Sequence, residues 1–312
     1  MWLDAVLAWM AHFLDALKAS QRGRVIGVAP TPEAGFGLVL ACTIRKGRMR
    51  LIVRVQGHTA SKVLFVHQSK WRFKLLQWIE SFVLRRADLV IPMCTFTREL
   101  AIGYGVRPEK IVVLPFPVRW SDSATVTPLP PRPCVLFAGR LEKEKGVHIL
   151  LEAMRIVQDQ LPSAELLIAG DGSYGSHLKA MVEVLGLRDR VSFLGWLGPA
   201  DLQFQYQKAW VLVLPSIWAE GLGMVLVEAG LMGRPVIGSD LGGIRDIIRH
   251  GYNGFLVPPG DAKGLAEAIL TVLTNRDLAQ QMGQANLQLA REYLDARGNA
   301  LEDVRQAILK LV

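Results

Sequence analysis

Residues 211–233 constrain the fold of this chain more than any other stretch of its sequence. Residues 211–214 form an apolar run that stops at Pro215, which is the pattern of a buried strand. A helix is predicted over residues 224–232, because Gly233 follows it and a proline comes soon after. A strand that leads through a short turn into a helix predicts an α/β fold with a parallel sheet.

Two carboxylates, Glu220 and Glu228, flank this turn and are separated by seven residues. The turn between them begins with Gly221, Leu222, Gly223 and Met224. Its backbone amides would point outward from a helix N-terminus, which is a ready site for an anion. The carboxylates cannot contact that anion themselves, because like charges repel. They are better placed to accept hydrogen bonds from hydroxyl groups that flank a phosphate, and a sugar nucleotide carries both.

A second strand-to-helix connection carries basic residues. Residues 133–137 predict a strand, and the apolar spacing that follows the loop predicts a helix. Arg140 and Lys145 lie in the loop, near the positive end of a helix dipole, where cations are disfavoured unless an anion joins them. A pyrophosphate would be such an anion. The alternative is a solvated basic turn in which the cations pair with Glu142 and Glu144.

Together these motifs resemble those of the retaining glycosyltransferases of family 4, which have the α/β GT-B fold. That fold has two Rossmann-like domains whose parallel sheets face across a cleft. The resemblance covers residues 133–275, with the motifs in family order, and it weakens toward the N-terminus. The matching stretches are Gly139-Arg140-Leu141 with Lys145-Gly146, residues 169–172, 191–195 and 215–216 before the two glutamates, and residues 233–236, 242–244 and 251–260.

The resemblance implies a role for each residue of the donor site. Arg140 and Lys145 match the cations that neutralise the donor diphosphate. Glu220 matches the glutamate that faces the donor hexose, and Glu228 matches the one that grips the ribose hydroxyls. Gly139 and the four turn residues match the backbone of the donor site. The resemblance further implies retention at the transferred sugar, no metal ion, and no cofactor besides the co-substrate, a UDP- or GDP-sugar.

Other classes of protein share parts of this pattern. A carboxylate pair also marks glycoside hydrolases, but the basic loop disfavours that class. Residues 170–175 fit the glycine pattern of dinucleotide-binding enzymes, yet the strand over residues 191–194 ends in Gly195 rather than in the acid which that class requires. We therefore interpret this glycine turn as structural. Sugar-nucleotide epimerases would need an acid/base set that the sequence does not offer, and a nucleotide-sugar-binding protein without transfer activity is the main alternative.

Composition and length fit a two-domain cytoplasmic enzyme. The 312-residue chain is 51% apolar and can bury two cores of about 150 residues each. Its cysteines, Cys42, Cys94 and Cys134, show no metal-ligand or disulfide spacing, which favours a reducing cytosol. We expect an acceptor-binding domain over residues 1–120, a linker over residues 121–132, a donor-binding domain over residues 133–295, and a helix over residues 296–312 that returns to the first domain.

The excess of basic residues lies in the N-terminal part of the chain. Residues 1–130 carry a net charge of +10, whereas the remainder carries −2. A basic acceptor domain suits a glycan or lipid-linked acceptor and peripheral contact with the anionic inner face of a membrane. Residues 70–78 alternate cations with aromatics in a predicted helix that either lies on a membrane or buries Trp78 and Phe82 behind a solvated basic face. Nucleic acid is not a predicted partner, because no recognisable binding module accompanies the charge.

The N-terminal domain departs from the family pattern. Predicted strands occupy residues 25–29, 51–55, 89–92 and 111–115, after a helix over residues 1–19. These elements match only the later part of a family acceptor domain, and from this resemblance we expect about 50 to 70 residues to be absent relative to a typical domain. A start site placed too late, a fragment and an unusually compact domain all stay open. Gln56 aligns with a histidine that many members carry, and His58 follows as a possible substitute.

Overall fold

The structure is a computed structural model that describes residue 10 and residues 14–16, 25–45, 48–57, 69–118 and 126–311. Contacts within the chain divide it into two units, Met1–Phe116 with Ala296–Val312, and Pro117–Asp295. Each unit has its own parallel sheet and its own hydrophobic core.

The described strands all pair in parallel with their neighbours. They are β1 Val25–Ala29, β2 Met49–Val55, β3 Leu89–Pro92, β4 Cys134–Ala138, β5 Glu165–Ala169, β6 Val191–Gly195, β7 Val211–Leu214, β8 Val236–Ser239 and β9 Gly254–Val257. The helices whose two ends both lie within the described residues are α1 Phe36–Ile44, α2 Lys70–Arg86, α3 Thr95–Gly103, α4 Val147–Gln160, α5 Gly175–Val184, α6 Pro199–Lys208, α7 Met224–Leu231, α8 Ile244–Ile247, α9 Ala262–Thr274 and α10 Arg276–Leu309.

The sheet of the first unit has the order β1-β2-β3 and is covered on both faces. Successive side chains of a strand point to opposite faces of its sheet. Leu51, Val53 and Val55 accordingly pack in one apolar cluster with side chains of α1 and α2. Ile52 belongs to a different cluster, which includes Val304 of α10. Two covered faces are typical of parallel sheets in α/β proteins.

The prediction of a strand over residues 111–115 is wrong. Ile111 forms one parallel bridge to Val90, and the backbone N–H of Leu114 donates to the carbonyl of Pro92 at 2.8 Å. The next parallel bridge would need a backbone N–H at Pro92, and proline has none. The segment therefore runs beside β3 without forming a regular strand.

Two other predictions fall partly outside the described residues. Within the predicted helix over residues 1–19, residue 10 and residues 14–16 are described, and they are helical. Within the predicted linker, residues 126–132 are described and contain neither helix nor strand. The remainder of both segments lies outside the described residues.

Helix α2 confirms the helix predicted from residue 70 but not the burial of Trp78. The Trp78 side chain is 55% exposed, and that of Trp71 is 61% exposed. Phe82 is half-buried and stacks on Trp78, with ring centroids 5.2 Å apart. The helix thus shows aromatic surface beside its cations. None of the helices in the described ranges is long and apolar enough to cross a membrane.

The sheet of the second unit has the order β6-β5-β4-β7-β8-β9. In chain order, β4, β5 and β6 are added toward one edge of the sheet, and β7, β8 and β9 are added toward the other edge. Ligands of such sheets bind beyond the carboxyl ends of the two central strands, where the strand order reverses. Gly139 follows β4 and Pro215 follows β7, so the two loops singled out in the sequence lie at this switch point.

Candidate functional site

The loop after β4 and the loop after β7 are joined by close backbone contact. The first loop contains a 3₁₀ turn, Lys143–Lys145, that ends at Gly146 with a φ of 70°. A Cβ at Gly146 would lie 1.9 Å from the carbonyl oxygen of Pro215, so only glycine fits there. The backbone N–H of Ile217 donates to the carbonyl of Glu144 at 2.9 Å. These contacts set the position of Lys145 relative to the β7 loop.

Lys145 and Glu220, which are far apart in the sequence, meet at this junction. The ammonium nitrogen of Lys145 lies 2.6 Å from Glu220 Oε1, and the two side chains are 17% and 15% exposed. The hydroxyl of Ser216, a fully buried residue, donates to the same oxygen at 2.6 Å. Glu220 is therefore held by one cation and one neutral hydroxyl. Hydrogen bonds of this kind, with an ionised partner, are the stronger ones in proteins.

The alternative for this turn was that its cations pair with Glu142 and Glu144 of the same loop. In the structure, Lys145 does not form such a pair. Glu142 accepts a hydrogen bond from the hydroxyl of Ser173 at 2.6 Å, while Lys145 donates to Glu220. Arg140 is exposed, directly after the carboxyl end of β4. One of the two predicted cations is thus engaged by a carboxylate, and the other faces solvent.

A pocket of about 290 Å³ opens beyond the carboxyl ends of these strands. Gly139, Arg140, Met224 and Glu228 of the predicted donor site line it. Apolar side chains line it as well, namely those of Trp196, Leu197 and Leu202. The pocket therefore combines a cation, a carboxylate and an apolar wall.

The glycine turn after β5 contributes backbone to the same pocket. Gly170 has a φ of 142°, and a Cβ there would lie 1.8 Å from the carbonyl oxygen of Gly139. A side chain at this position would collide with the backbone that leads to Arg140. Gly170 thus permits the β4 and β5 loops to approach each other beside the pocket.

Trp196 was not among the predicted site residues. It follows β6, where the pairing register shifts so that Ala169 lies opposite Gly195. Such bulges redirect the residue that follows and are frequent beside active sites. The Trp196 side chain lines the pocket and is 77% exposed. The signal in the sequence was an aromatic residue directly after an apolar strand, at the edge where ligands bind.

The turn predicted to bind an anion leads directly into α7. Gly221, Leu222 and Gly223 lie in the turn, and the helix begins at Met224. Leu222 is 3% exposed, so this residue is buried in the turn. Met224 and Val225, at the first turn of the helix, line the pocket. The helix N-terminus therefore lies at the pocket.

Glu228 lies in α7 with its side chain almost fully buried, at 5% exposure. The hydroxyl of Tyr206 in α6 donates to Glu228 Oε2 at 2.9 Å. Burial of a carboxylate is unfavourable unless it is hydrogen-bonded, and a bond to a charged group stabilises by about 1.5–3 kcal/mol. Sequence reasoning missed Tyr206, because its spacing along α6 is that of an ordinary core residue.

The residues predicted for the acceptor side belong to the first unit. Gln56 directly follows β2 and is half-buried. His58 lies outside the described residues. Across the described ranges, no group of three or more histidine, cysteine or acidic side chains is arranged to hold a metal ion.

Two family models match this chain, one in each part. The family model "Glycosyl transferases group 1" matches residues 119–288, and the model "Glycosyl transferase 4-like domain" matches residues 2–117. An alpha-D-kanosaminyltransferase of Streptomyces kanamyceticus is 32% identical over 179 residues, which is 57% of this chain and 46% of that protein. A phosphatidyl-myo-inositol mannosyltransferase of Mycobacterium leprae is 37% identical over 160 residues, which is 51% of this chain and 42% of that protein. The chain thus spans less than half the length of these two relatives.

Among solved structures, the Anabaena protein Alr3699/HepE in complex with UDP has a similar fold. The TM-score is 0.79 at 22% sequence identity, and the match covers 94% of this chain and 82% of that protein. At this identity the likeness shows the shared GT-B fold alone.

Proposed function

Because the chain belongs to the glycosyl transferases group 1 family, we propose that it moves a hexose from a nucleotide-diphosphate sugar to a glycan or lipid-linked acceptor. The observation that carries this proposal is the convergence of charged groups at the switch point of the second sheet. Arg140 and Glu228 line one pocket there. Lys145 and Glu220 form an ion pair where the two adjacent loops meet.

Each group has a place in this reaction. The diphosphate is bound by Arg140, Lys145 and the amides at the start of α7, while Glu220 faces the hexose. Glu228 binds the ribose, and the base lies on the apolar wall formed in part by Trp196. Departure of the nucleotide puts negative charge on the diphosphate. Fixed cations and amide dipoles aimed there stabilise the transition state more than the ground state.

Calorimetric titration with UDP, GDP and ADP tests the donor site. We expect saturable binding of UDP or GDP that is weakened at least tenfold by Arg140→Ala and by Glu228→Ala. Arg188→Ala is the matched control, because this arginine forms an exposed ion pair with Glu183 elsewhere in the second unit. Absence of binding by all three nucleotides would contradict the proposal.

We further propose that transfer proceeds with retention and without a metal ion or other cofactor. Arg140 and Lys145 supply the positive charge that a divalent cation provides at other diphosphate sites. Proton NMR of the product reports the anomeric configuration, and assays with EDTA report metal dependence. Inversion, or loss of activity with EDTA, would contradict this mechanism. Nucleotide binding without turnover of UDP- or GDP-sugars would favour the alternative, a nucleotide-sugar-binding protein without transfer activity.

We propose a cytoplasmic protein that acts at the inner face of a membrane, on acceptors of cell-envelope polysaccharide assembly. Support comes from α2, where the exposed Trp71 and Trp78 lie among Lys70, Arg72 and Lys74. The name of the mycobacterial relative also indicates a lipid acceptor for that protein. Gln56 and His58 are the candidates for acceptor contact.

Vesicle flotation tests the membrane contact. We expect the protein to bind vesicles of anionic phosphatidylglycerol more than vesicles of phosphatidylcholine, and to lose binding in high salt. The double variant Trp71→Ser/Trp78→Ser should reduce binding, whereas Trp210→Phe, at a buried position, serves as the control. Equal binding to both vesicle types would contradict an electrostatic contact.

A further inference from the structure

We propose that Tyr206 is a positioning residue for the donor site, and that its hydroxyl holds Glu228 in the orientation that binds the ribose. The inference rests on the proposed function, since it takes the ribose as the ligand of Glu228. It adds a residue from α6, an element outside every motif that the sequence analysis singled out.

The contact between the two side chains is direct and shielded from water. The Tyr206 hydroxyl donates to Glu228 Oε2 at 2.9 Å. Tyr206 is fully buried, and Glu228 is 5% exposed. The same carboxylate belongs to a residue that lines the pocket. One oxygen of Glu228 is therefore tied to the protein interior while the residue borders the ligand space.

Tyr206 is itself held at its backbone. Its carbonyl accepts a hydrogen bond from Arg234 Nε at 3.0 Å, and Arg234 also donates to the carbonyl of Gln207 at 2.9 Å and to the hydroxyl of Thr127. Arg234 is only 1% exposed. The tyrosine ring thus projects from a fixed point of α6, so the position of its hydroxyl is set by the fold rather than by the ligand.

Helix α6 also contributes a residue to the lining of the pocket. Leu202, one helical turn before Tyr206 and on the same face, lines the pocket. Movement of this helix would shift the apolar wall and the anchor of Glu228 together. Ser216 holds Glu220 by the same device, a buried hydroxyl that donates to one oxygen of the carboxylate.

A carboxylate binds the two ribose hydroxyls only when its plane is turned toward them. The orientation of the Glu228 side chain therefore matters as much as its charge. Phenylalanine in place of Tyr206 keeps the ring and the packing but removes the donor. Glu228 would then lose the hydrogen bond that fixes Oε2, and part of the free energy of orienting its carboxylate would be taken from nucleotide binding. The loss should appear only with nucleotides whose ribose hydroxyls are present.

The test is calorimetry with wild type and Tyr206→Phe. Wild type is titrated with UDP and GDP, and the tighter of the two is compared with its 2′,3′-dideoxy form. We expect Tyr206→Phe to weaken the nucleotide about tenfold and the dideoxy nucleotide less than twofold. Tyr252→Phe makes the same chemical change at an exposed tyrosine of the second unit and should leave both affinities unchanged.

A second variant separates positioning from general damage to the fold. In a Glu228→Ala background, which removes the acceptor of the Tyr206 hydroxyl, Tyr206→Phe should have little further effect on nucleotide affinity, because both changes act through one contact. Circular dichroism and thermal melting check that each variant folds. Equal weakening of both nucleotides, or an undiminished effect in the Glu228→Ala background, would overturn the positioning role.

The outcomes also distinguish this inference from the proposed function. Binding of UDP or GDP by wild type, with unchanged affinity in Tyr206→Phe, overturns the role of Tyr206 and leaves the donor site standing. Failure of wild type to bind either nucleotide overturns both.

Discussion

Replacing Glu220 by glutamine should raise the affinity for a nucleoside diphosphate while abolishing sugar transfer. In the structure, Glu220 Oε1 accepts hydrogen bonds from Lys145 and from Ser216, both at 2.6 Å. A diphosphate that recruits Lys145 must compete with this carboxylate, which also repels it. Glutamine keeps the size of the side chain and an acceptor for Ser216, but it removes the negative charge.

The size of the effect follows from the contact that the ligand must exchange. A hydrogen bond to a charged group contributes about 1.5–3 kcal/mol, with the bond between the two ions Lys145 and Glu220 near the upper end and a bond from the Lys145 ammonium to a neutral glutamine near the lower end. With glutamine, the ligand has about 1–1.5 kcal/mol less to overcome, which corresponds to an affinity about five to ten times higher. Solvent screening reduces this little, because the Lys145 and Glu220 side chains are only 17% and 15% exposed.

Calorimetry with UDP and GDP measures the change. Glu183→Gln is the matched control, since Glu183 pairs with Arg188 at 3.0 Å but on the surface, with side chains 55% and 76% exposed. We expect no change in affinity there and a weaker affinity in Lys145→Gln. A folded Glu220→Gln variant that binds no tighter than wild type would refute the competition between the carboxylate and the ligand.

Three further predictions concern the second unit. Asn286→Ala should lower the free energy of unfolding by about 2–4 kcal/mol in urea denaturation, because it removes the partner of one N–H of the buried Asn253 amide and of the Arg234 carbonyl, each bonded at 2.8 Å. A loss below about 1 kcal/mol would contradict this. Trp196→Ala should weaken nucleotide binding by about tenfold through lost base stacking, yet leave competition by inorganic pyrophosphate unchanged; equal weakening of both would argue against a base at this wall. Burial is the main reason that the pKa of His148 lies below its usual 6.5. The unfolded chain therefore binds more protons below that pH, and stability should fall as the pH drops from about 7 to 5, with a smaller fall in His148→Gln. Parallel slopes for the two proteins would refute the assignment to His148.

The family and the GT-B fold were predictable because local signals in the second unit agree with one another. The apolar run before Pro215 ends as β7 at Leu214, and the glycine stop places the end of α7 within one residue of the prediction. Such elements depend on neighbours in the chain. The failed strand at residues 111–115 depends instead on Pro92, which withholds an N–H from a segment some twenty residues away.

The partners of the site residues were less predictable than the residues themselves. Arg140 and Glu228, both selected from the sequence, line one pocket of the structure. The ion pair of Lys145 with Glu220 and the bond from Tyr206 to Glu228 join residues on different elements. Spacing along one helix or loop carries no information about such pairs. They follow from the strand order that brings β4 beside β7.

The contact of Gly146 with the carbonyl of Pro215 has a consequence for redesign. When two segments are in direct backbone contact, with no side chain between them, the length or path of one cannot be changed without moving the other. An insertion in the loop after β4 would displace the loop after β7, and a graft of either loop from a relative would bring a mismatched partner. A redesign of either loop is therefore best made by transplanting both loops as one block.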